Sequence, residues 1–358
     1  MSVKIGIIGN PQVGKTTLFK LLTKIDGSGN MNQKANIGIA KVPDSRIDFL
    51  SGIFQPKKTT YATIELVDMA GTAQRPDGKK NELLEAIRDV DAIVQVVRAF
   101  ESNMVPNSRN NIEPFDEVKE VQEELLLSDW SILENRLERI QKQKNKGANQ
   151  NEGELEVLLK ARDLLEQELP LRNLELTEQE EKLIRGYDFL TRKPIIVVVN
   201  LDEDQLRNDQ YPQKAELEKW CSESNIPLTQ ICGQLEVEIA QLDEESQQLF
   251  MEELGIQETG IARLARILYR HLGLISFFTV GQDEVRAWTI TDGSTAKKAA
   301  GKIHSDIERG FIRAEVVSYA DFVEYQSMSK IKEKGLFRLE GKEYLVKDGD
   351  IISFRFNV

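Results

Sequence analysis

The stretch Gly9-Asn10-Pro11-Gln12-Val13-Gly14-Lys15-Thr16 constrains this chain more than any other. Two glycines bracket four residues, and a lysine and a hydroxyl follow at once. Before it runs Val3–Ile8, apolar and β-branched, which reads as a strand; after it Thr17-Leu18-Phe19-Lys20-Leu21-Leu22 keeps helical spacing. Glycine lets the backbone curl tightly between the two elements, so that successive N–H groups and the positive end of the helix face an anion. Asn10, Pro11, Gln12, Val13, Gly14, Lys15, Thr16 and Thr17 are therefore the expected phosphate cradle. Lys15 would reach the β- and γ-phosphates and the Thr16 hydroxyl would hold Mg²⁺, the only cofactor expected. This is the pattern of a P-loop nucleoside triphosphatase.

A fold follows from the same rhythm. Ile37–Val42, Ala62–Val67, Ala92–Val97, Pro194–Val199 and Leu228–Ile231 repeat the β-branched runs, with helical patterns between them. Several are apolar on consecutive positions, as in strands covered on both faces, so the expectation is an α/β fold around a mostly parallel sheet. The stretch from Phe115 to Leu190 holds no strand candidate. Val118, Val121, Leu125, Ile132, Leu133, Leu137 and Ile140 keep helical spacing, as do Leu155, Leu158, Leu159, Leu164 and Leu165. That predicts a helical hairpin inserted in the sheet, either an arm that meets a partner or a cap packed on the domain. Beyond Ser276 the pattern changes to strand at Val285–Ile290, a short helix capped at Ser294-Thr295, then strands at Ala314–Ser318, Glu343–Val346 and Ile351–Phe356. The expected division is a nucleotide-binding portion at 1–114 and 191–275, a helical arm at 115–190, and a small β-grasp domain at 276–358.

Composition removes several classes. The only histidines are His271 and His304, far apart, which disfavours a histidine metal cluster or a Ser-His-Asp triad. Two cysteines, Cys221 and Cys232, make no disulfide framework, and no apolar run is long enough to span a bilayer. The N-terminus opens directly into a strand pattern without the regions of a secretion signal, so the expected place is the cytoplasm, with no membrane partner. Net charge is -12, while 276–358 holds 13 basic and 13 acidic residues, so any contact with RNA has to be local.

Two further motifs belong beside the phosphates and the base. Val67-Asp68-Met69-Ala70-Gly71 ends a strand; Asp68 is a second Mg²⁺ ligand and the Gly71 amide a γ-phosphate donor, so Lys15, Asp68 and Gly71 are the expected catalytic set. Asn200-Leu201-Asp202-Glu203 ends another strand where guanine-reading proteins carry Asn-Lys-x-Asp. The shorter Asp pairs with guanine N1–H and its amino group. Glu203 is one methylene longer, which weakens the case for GTP without establishing ATP. Asn200, Leu201 and Glu203 are the expected base contacts, with Cys232, Gly233 and Gln234 as a second base-side loop.

Taken together the chain resembles the YchF-type Obg-like ATPases over nearly its whole length. The resemblance rests on the glycine loop, on Asn200-x-x-Glu203, and on Leu235-Glu236-Val237-Glu238-Ile239-Ala240. It also rests on the tail elements Val285–Ile290, Ala300-Gly301-Lys302-Ile303-His304, Glu308-Arg309-Gly310-Phe311-Ile312-Arg313-Ala314 and Val346-Lys347-Asp348-Gly349-Asp350, which are similar to that family's TGS domain. It implies ATP in preference to or alongside GTP, Mg²⁺ dependence, and association with the ribosome or its RNA through the arm and the TGS domain. The sequence departs from the family where the γ-phosphate is sensed. The Phe-x-Thr-Ile segment is absent and Asn32 falls near the expected Thr. The loop Thr72–Lys80 is short, and no histidine stands near Val105-Pro106-Asn107. These departures leave three readings: a slow ATP-driven switch, a nucleotide binder without useful hydrolysis, or a true GTPase.

Overall fold

The computed structural model describes residues 3–24, 36–68, 84, 87–102, 111–144 and 152–357. The chain forms two compact units, Met1–Ile39 with Glu65–Ile261, and Ala40–Ile64 with Ala262–Val358. Sequence boundaries had put residues 40–64 with the nucleotide-binding portion; by packing they belong to the second unit.

The main sheet contains β1 (Lys4–Ile8), β2 (Asn36–Lys41), β4 (Thr63–Asp68), β5 (Ala92–Arg98), β6 (Ile195–Asn200) and β7 (Leu228–Ile231), in the order β2-β4-β1-β5-β6-β7. β1 pairs in parallel with β4 and β5, and β5, β6 and β7 continue in parallel. Every residue of β5 and β6 is buried. A strand covered on both faces has no polar side to show, which is why the apolar runs did not alternate. The doubly covered, mostly parallel sheet read from the sequence is the sheet that forms.

The helix α1 (Lys15–Thr23) follows β1, and α2 (Ser45–Phe54) lies in the second unit. Between β5 and β6 runs α3, Pro114–Lys144, then α4, Glu152–Glu166. Proline suits the first helical position, where its missing N–H costs nothing, and Asp116 and Glu117 in the first turn oppose the helix dipole. The helix serves two cores in turn. Val118 and Leu125 join β5 and β6, while Leu133 and Ile140 pack with Val157, Leu158, Ala161 and Leu165 of α4. Ile184 of α5 (Glu178–Ile184) completes that second core. Arg136 grips Glu154 across the hairpin with two N–H donors, at 2.9 and 2.7 Å. Where the two cores meet, buried Asp129 accepts from the Leu190 and Thr191 amides and the Thr191 hydroxyl at 2.9, 2.7 and 2.7 Å. Those bonds fasten the middle of α3 to the segment entering β6.

In the second unit, β3 (Lys58–Thr60), β8 (Leu274–Thr279), β9 (Glu284–Thr291), β10 (Phe311–Val317), β11 (Arg338–Glu340) and β12 (Ile351–Phe356) order as β11-β10-β12-β8-β9-β3. The helix Ala296–Ile303 lays Ala296 and Ala299 on Phe277, Ile290, Val316 and Ile352. Its cap is Thr295, as expected; the hydroxyl accepts from the Lys298 amide at 3.4 Å. The strand expected at Glu343–Val346 does not form. Only Leu345 bridges, to Thr295, because Tyr344 and Val346 send their backbones to the start of the helix instead. Residues 40–64 are tied in by Arg46, which donates to Asp44 and to Asp348 with distances of 2.8 Å to each. Phe49 meets Tyr319 edge-on and Phe54 stacks on Phe322. No helix among the described residues is long and apolar enough to cross a membrane.

Candidate functional site

The glycine loop has the conformation that its sequence requires. Gly9 sits at φ 142°, and a Cβ there would lie 2.2 Å from the Val96 carbonyl oxygen of β5. Gly14, at φ 102°, presses on Asn200; a Cβ would stand 2.4 Å from its Nδ2. Both positions combine a left-sided φ with a close neighbour, so no larger residue fits without moving the loop. Val13 is buried and pins the loop from below, while Pro11 and Gln12 are exposed at its crest.

Lys15 opens α1 and folds back into the loop. Its Nζ donates to the Gly9 and Asn10 carbonyls at 2.9 and 2.6 Å. Burial lowers the Lys15 pKa, against which the negative charges of Asp68 and Glu117 act to raise it. Next to it the Thr16 hydroxyl donates to Asp68 Oδ2 at 3.1 Å, and Asp68, the last residue of β4, is wholly buried. A hydroxyl and a carboxylate side by side at the end of a strand are hard oxygen donors, and they fit a small divalent cation such as Mg²⁺. The first turn of α1 adds amides with no acceptor in the helix, since the ladder starts with Leu18 N–H to the Gly14 carbonyl. Thr17 lies in that turn.

Asn200 has a role that its motif did not reveal. Its Nδ2 donates to the Val13 carbonyl at 3.0 Å, and its Oδ1 accepts from the Gly233 amide at 3.0 Å. One side chain thereby joins the phosphate loop, the end of β6 and the loop after β7. Leu201 is buried in the sheet core and gives its N–H to the Ile231 carbonyl at 2.8 Å. The helix α6, Glu203–Asn208, is capped by Asp202 in a reciprocal box with Gln205, so Asp202 does the capping and Asn200 is left for the loop. Glu203 starts α6 and is exposed. Helix α7 is Lys214–Glu223 and α8 is Gly233–Gln241; Cys232 stands before α8, buried, and Gln234 is exposed on its first turn.

The structure thus brings Asn10–Thr17, Asp68, Asn200 and Gly233 into one continuous site within the first unit. Gly71, Asn32, Thr72–Lys80 and Val105–Asn107 lie outside the described residues. Sequence reading missed Glu117. Its charge acts on both Lys15 and Arg98, yet nothing in a helix-opening Asp-Glu pair singles it out.

With this geometry in place, comparison with known proteins decides the family. Residues 4–136 match a family model described as a 50S ribosome-binding GTPase. Residues 274–357 match the YchF-GTPase_C model, described as a protein of unknown function. The ribosome-binding ATPase YchF of Bacillus subtilis is 42% identical over 370 aligned residues, covering 100% of both chains. The chain belongs to the YchF family. The ribosome-binding ATPase YchF of Haemophilus ducreyi is 40% identical, again with 100% of each chain covered. The solved Schizosaccharomyces pombe YchF GTPase superposes with a TM-score of 0.89 at 29% identity, covering 99% of this chain and 98% of that one. The resemblance drawn from the sequence motifs is borne out. Two of these relatives are named ATPases and the third a GTPase.

Proposed function

We propose that this chain is a nucleotide-dependent switch that binds ATP with Mg²⁺, hydrolyses it slowly, and acts in association with the ribosome in the cytoplasm. The observation that carries this is the Lys15 ammonium, held by Gly9 and Asn10 at the start of α1 and beside the Thr16–Asp68 pair. When a triphosphate enters, Lys15 exchanges loop carbonyls for phosphate oxygens, and the free amides of α1 meet the same charge. Thr16 and Asp68 would hold Mg²⁺, which when bound supplies charge neutralisation at the phosphates. Asn200 keeps the loop shaped for this without touching the phosphates.

The base preference rests on Glu203. An exposed glutamate on the first turn of α6 has no fixed position from which to pair with both guanine donors, so ATP should bind at least as tightly as GTP. Glu203→Asp should move the ATP-to-GTP affinity ratio toward GTP by about tenfold. Leu201 is best left alone, since a lysine there would enter the core. Calorimetry with both nucleotides reads the result. A wild-type chain that prefers GTP by about a hundredfold would end the ATP reading.

Turnover is tested by multiple-turnover phosphate release from the isolated chain, with ATP and GTP compared. Lys15 and Mg²⁺ bind ground and transition state alike, and so raise affinity more than rate. Unassisted proteins of this class are slow, and the expected rate is below about one per minute. Turnover of several per second would show that an unidentified group orients the water. The ribosome association is carried by the names of the relatives, and we assign it to the hairpin at 115–190 and to the domain at 276–358. Co-sedimentation with ribosomes, with and without ATP, checks it; equal recovery in the absence of ribosomes would dismiss it.

A further inference from the structure

A cavity of about 770 Å³ opens in the first unit between α3, the segment after α4, and α7. Leu126, Leu127, Trp130, Leu169, Pro170 and Trp220 give it an apolar lining. Leu127 is 68% exposed and Leu169 38%, a large apolar surface for residues on a water-facing wall.

A single unbalanced cation lies in that lining. Arg172 donates Nη2 to Gln122 Oε1 at 3.2 Å, and its Nε is buried without a partner among the described residues. No carboxylate among the described residues pairs with it. Burial is the sole influence on its pKa, which falls to about 10. Arg46, Arg88 and Arg136 differ in this respect, each standing within ion-pair distance of a carboxylate. Gln122 in turn donates to Gln95 Oε1 at 2.9 Å, and Gln95 donates to the Glu117 and Val118 carbonyls at 3.4 and 3.3 Å. That chain of amides supplies hydrogen bonds but no charge. A half-buried guanidinium without a counter-ion raises the energy of the folded chain, and an arriving anion recovers that energy as affinity.

We infer that this cavity receives the C-terminus of a partner polypeptide, with the free carboxylate on Arg172 and an apolar last side chain among Leu126, Trp130 and Trp220. The volume falls within the usual range for specific pockets. Only one cation is available, because the other positive side chain of the lining, Lys119, is spent on Asp116 at 2.7 Å. One fork-shaped donor suits one carboxylate. Glu123, Glu166, Glu168 and Glu223 also line the cavity. Together they repel polyanions such as nucleic acid and favour basic residues upstream of the peptide's end. The inference is independent of the nucleotide reading.

The test is calorimetry on the full chain with a short peptide that carries two lysines and ends in leucine. Its C-terminal amide twin and a short RNA serve as the other arms. The free acid should bind about tenfold more tightly than the amide, and RNA should not compete. Arg172→Gln should reduce the acid to the affinity of the amide while the melting temperature holds or rises, since an unpaired charge has gone. Leu127→Asp, at an exposed position, should weaken acid and amide together with the fold intact by circular dichroism. Equal binding of acid and amide would overturn the inference, as would wild-type affinity in Arg172→Gln. Displacement of the peptide by RNA, or no binding of the acid by folded protein at millimolar concentration, would do so too.

Discussion

Lys15→Ala should lower triphosphate affinity at least about tenfold, and phosphate release at sub-saturating ATP should fall in proportion. The ammonium is a charge held in a partly dry pocket by the Gly9 and Asn10 carbonyls, at 2.9 and 2.6 Å. A charge-assisted contact of that kind contributes about 1.5–3 kcal/mol, which as an equilibrium constant is roughly 10- to 150-fold. The neighbouring amides of α1 and the Thr16–Asp68 pair remain, so binding is weakened and not abolished. Methionine in place of Lys15 would keep much of the stem volume and remove only the charge, so it should match alanine in affinity. Calorimetry reads the binding and a coupled phosphate assay the rate. If Lys15→Ala bound ATP as the wild type does, the glycine loop would have no part in recognition.

Asn200→Ala is expected to cost about 2–6 kcal/mol of stability, from two buried groups at about 1–3 kcal/mol each, and to weaken nucleotide binding as well. Removing its amide leaves the Val13 carbonyl and the Gly233 amide without their partners, in a place where Asn200 itself is only 6% exposed. The phosphate loop would lose the surface on which Gly14 rests. Asn200→Asp separates the two functions. It keeps an acceptor for Gly233 but turns a second oxygen toward the Val13 carbonyl, so it should be no better than alanine. Denaturant midpoints at unchanged slope measure the effect. A loss under about 0.5 kcal/mol would mean that water replaces the side chain without penalty.

How much of this could be read beforehand depended on the range of the contacts involved. The central strands β5 and β6 were legible because a strand buried on both faces is apolar at consecutive positions, as Ile195–Val199 shows. The glycine loop was legible because Gly9 and Gly14 are forced by backbone geometry. β3 was not: Lys58–Thr60 is polar, and it is a strand only because Glu284–Arg286 lies beside it. β8 was hidden because Leu274–Thr279 follows directly on a helix that ends at His271, and one apolar run passes into the other. In the site, the residue types at Asp68 and Asn200 were readable. That Asn200 joins two loops was not, because its partners stand 187 and 33 residues away. Arg172 was equally silent, since an unbalanced cation is a property of its surroundings and leaves no pattern in the chain.

The packing of residues 40–64 with the tail has a consequence during synthesis. Arg46 must wait for Asp348, 302 residues later, before its second carboxylate exists. Translation adds about 5–20 residues per second, so the interval is on the order of 15–60 s. For most of it Phe49 and Phe54 lack Tyr319 and Phe322, the rings that they meet in the finished chain. The first unit is complete by Ile261, so it can close while α2 is still uncovered. Nascent chains halted before residue 319 should therefore expose an aromatic face near their beginning, and it should be the last such face to disappear. A shortened protein that ends near Gly273 would keep that face permanently, and loss of solubility in it would reflect the N-terminal segment as much as the missing tail.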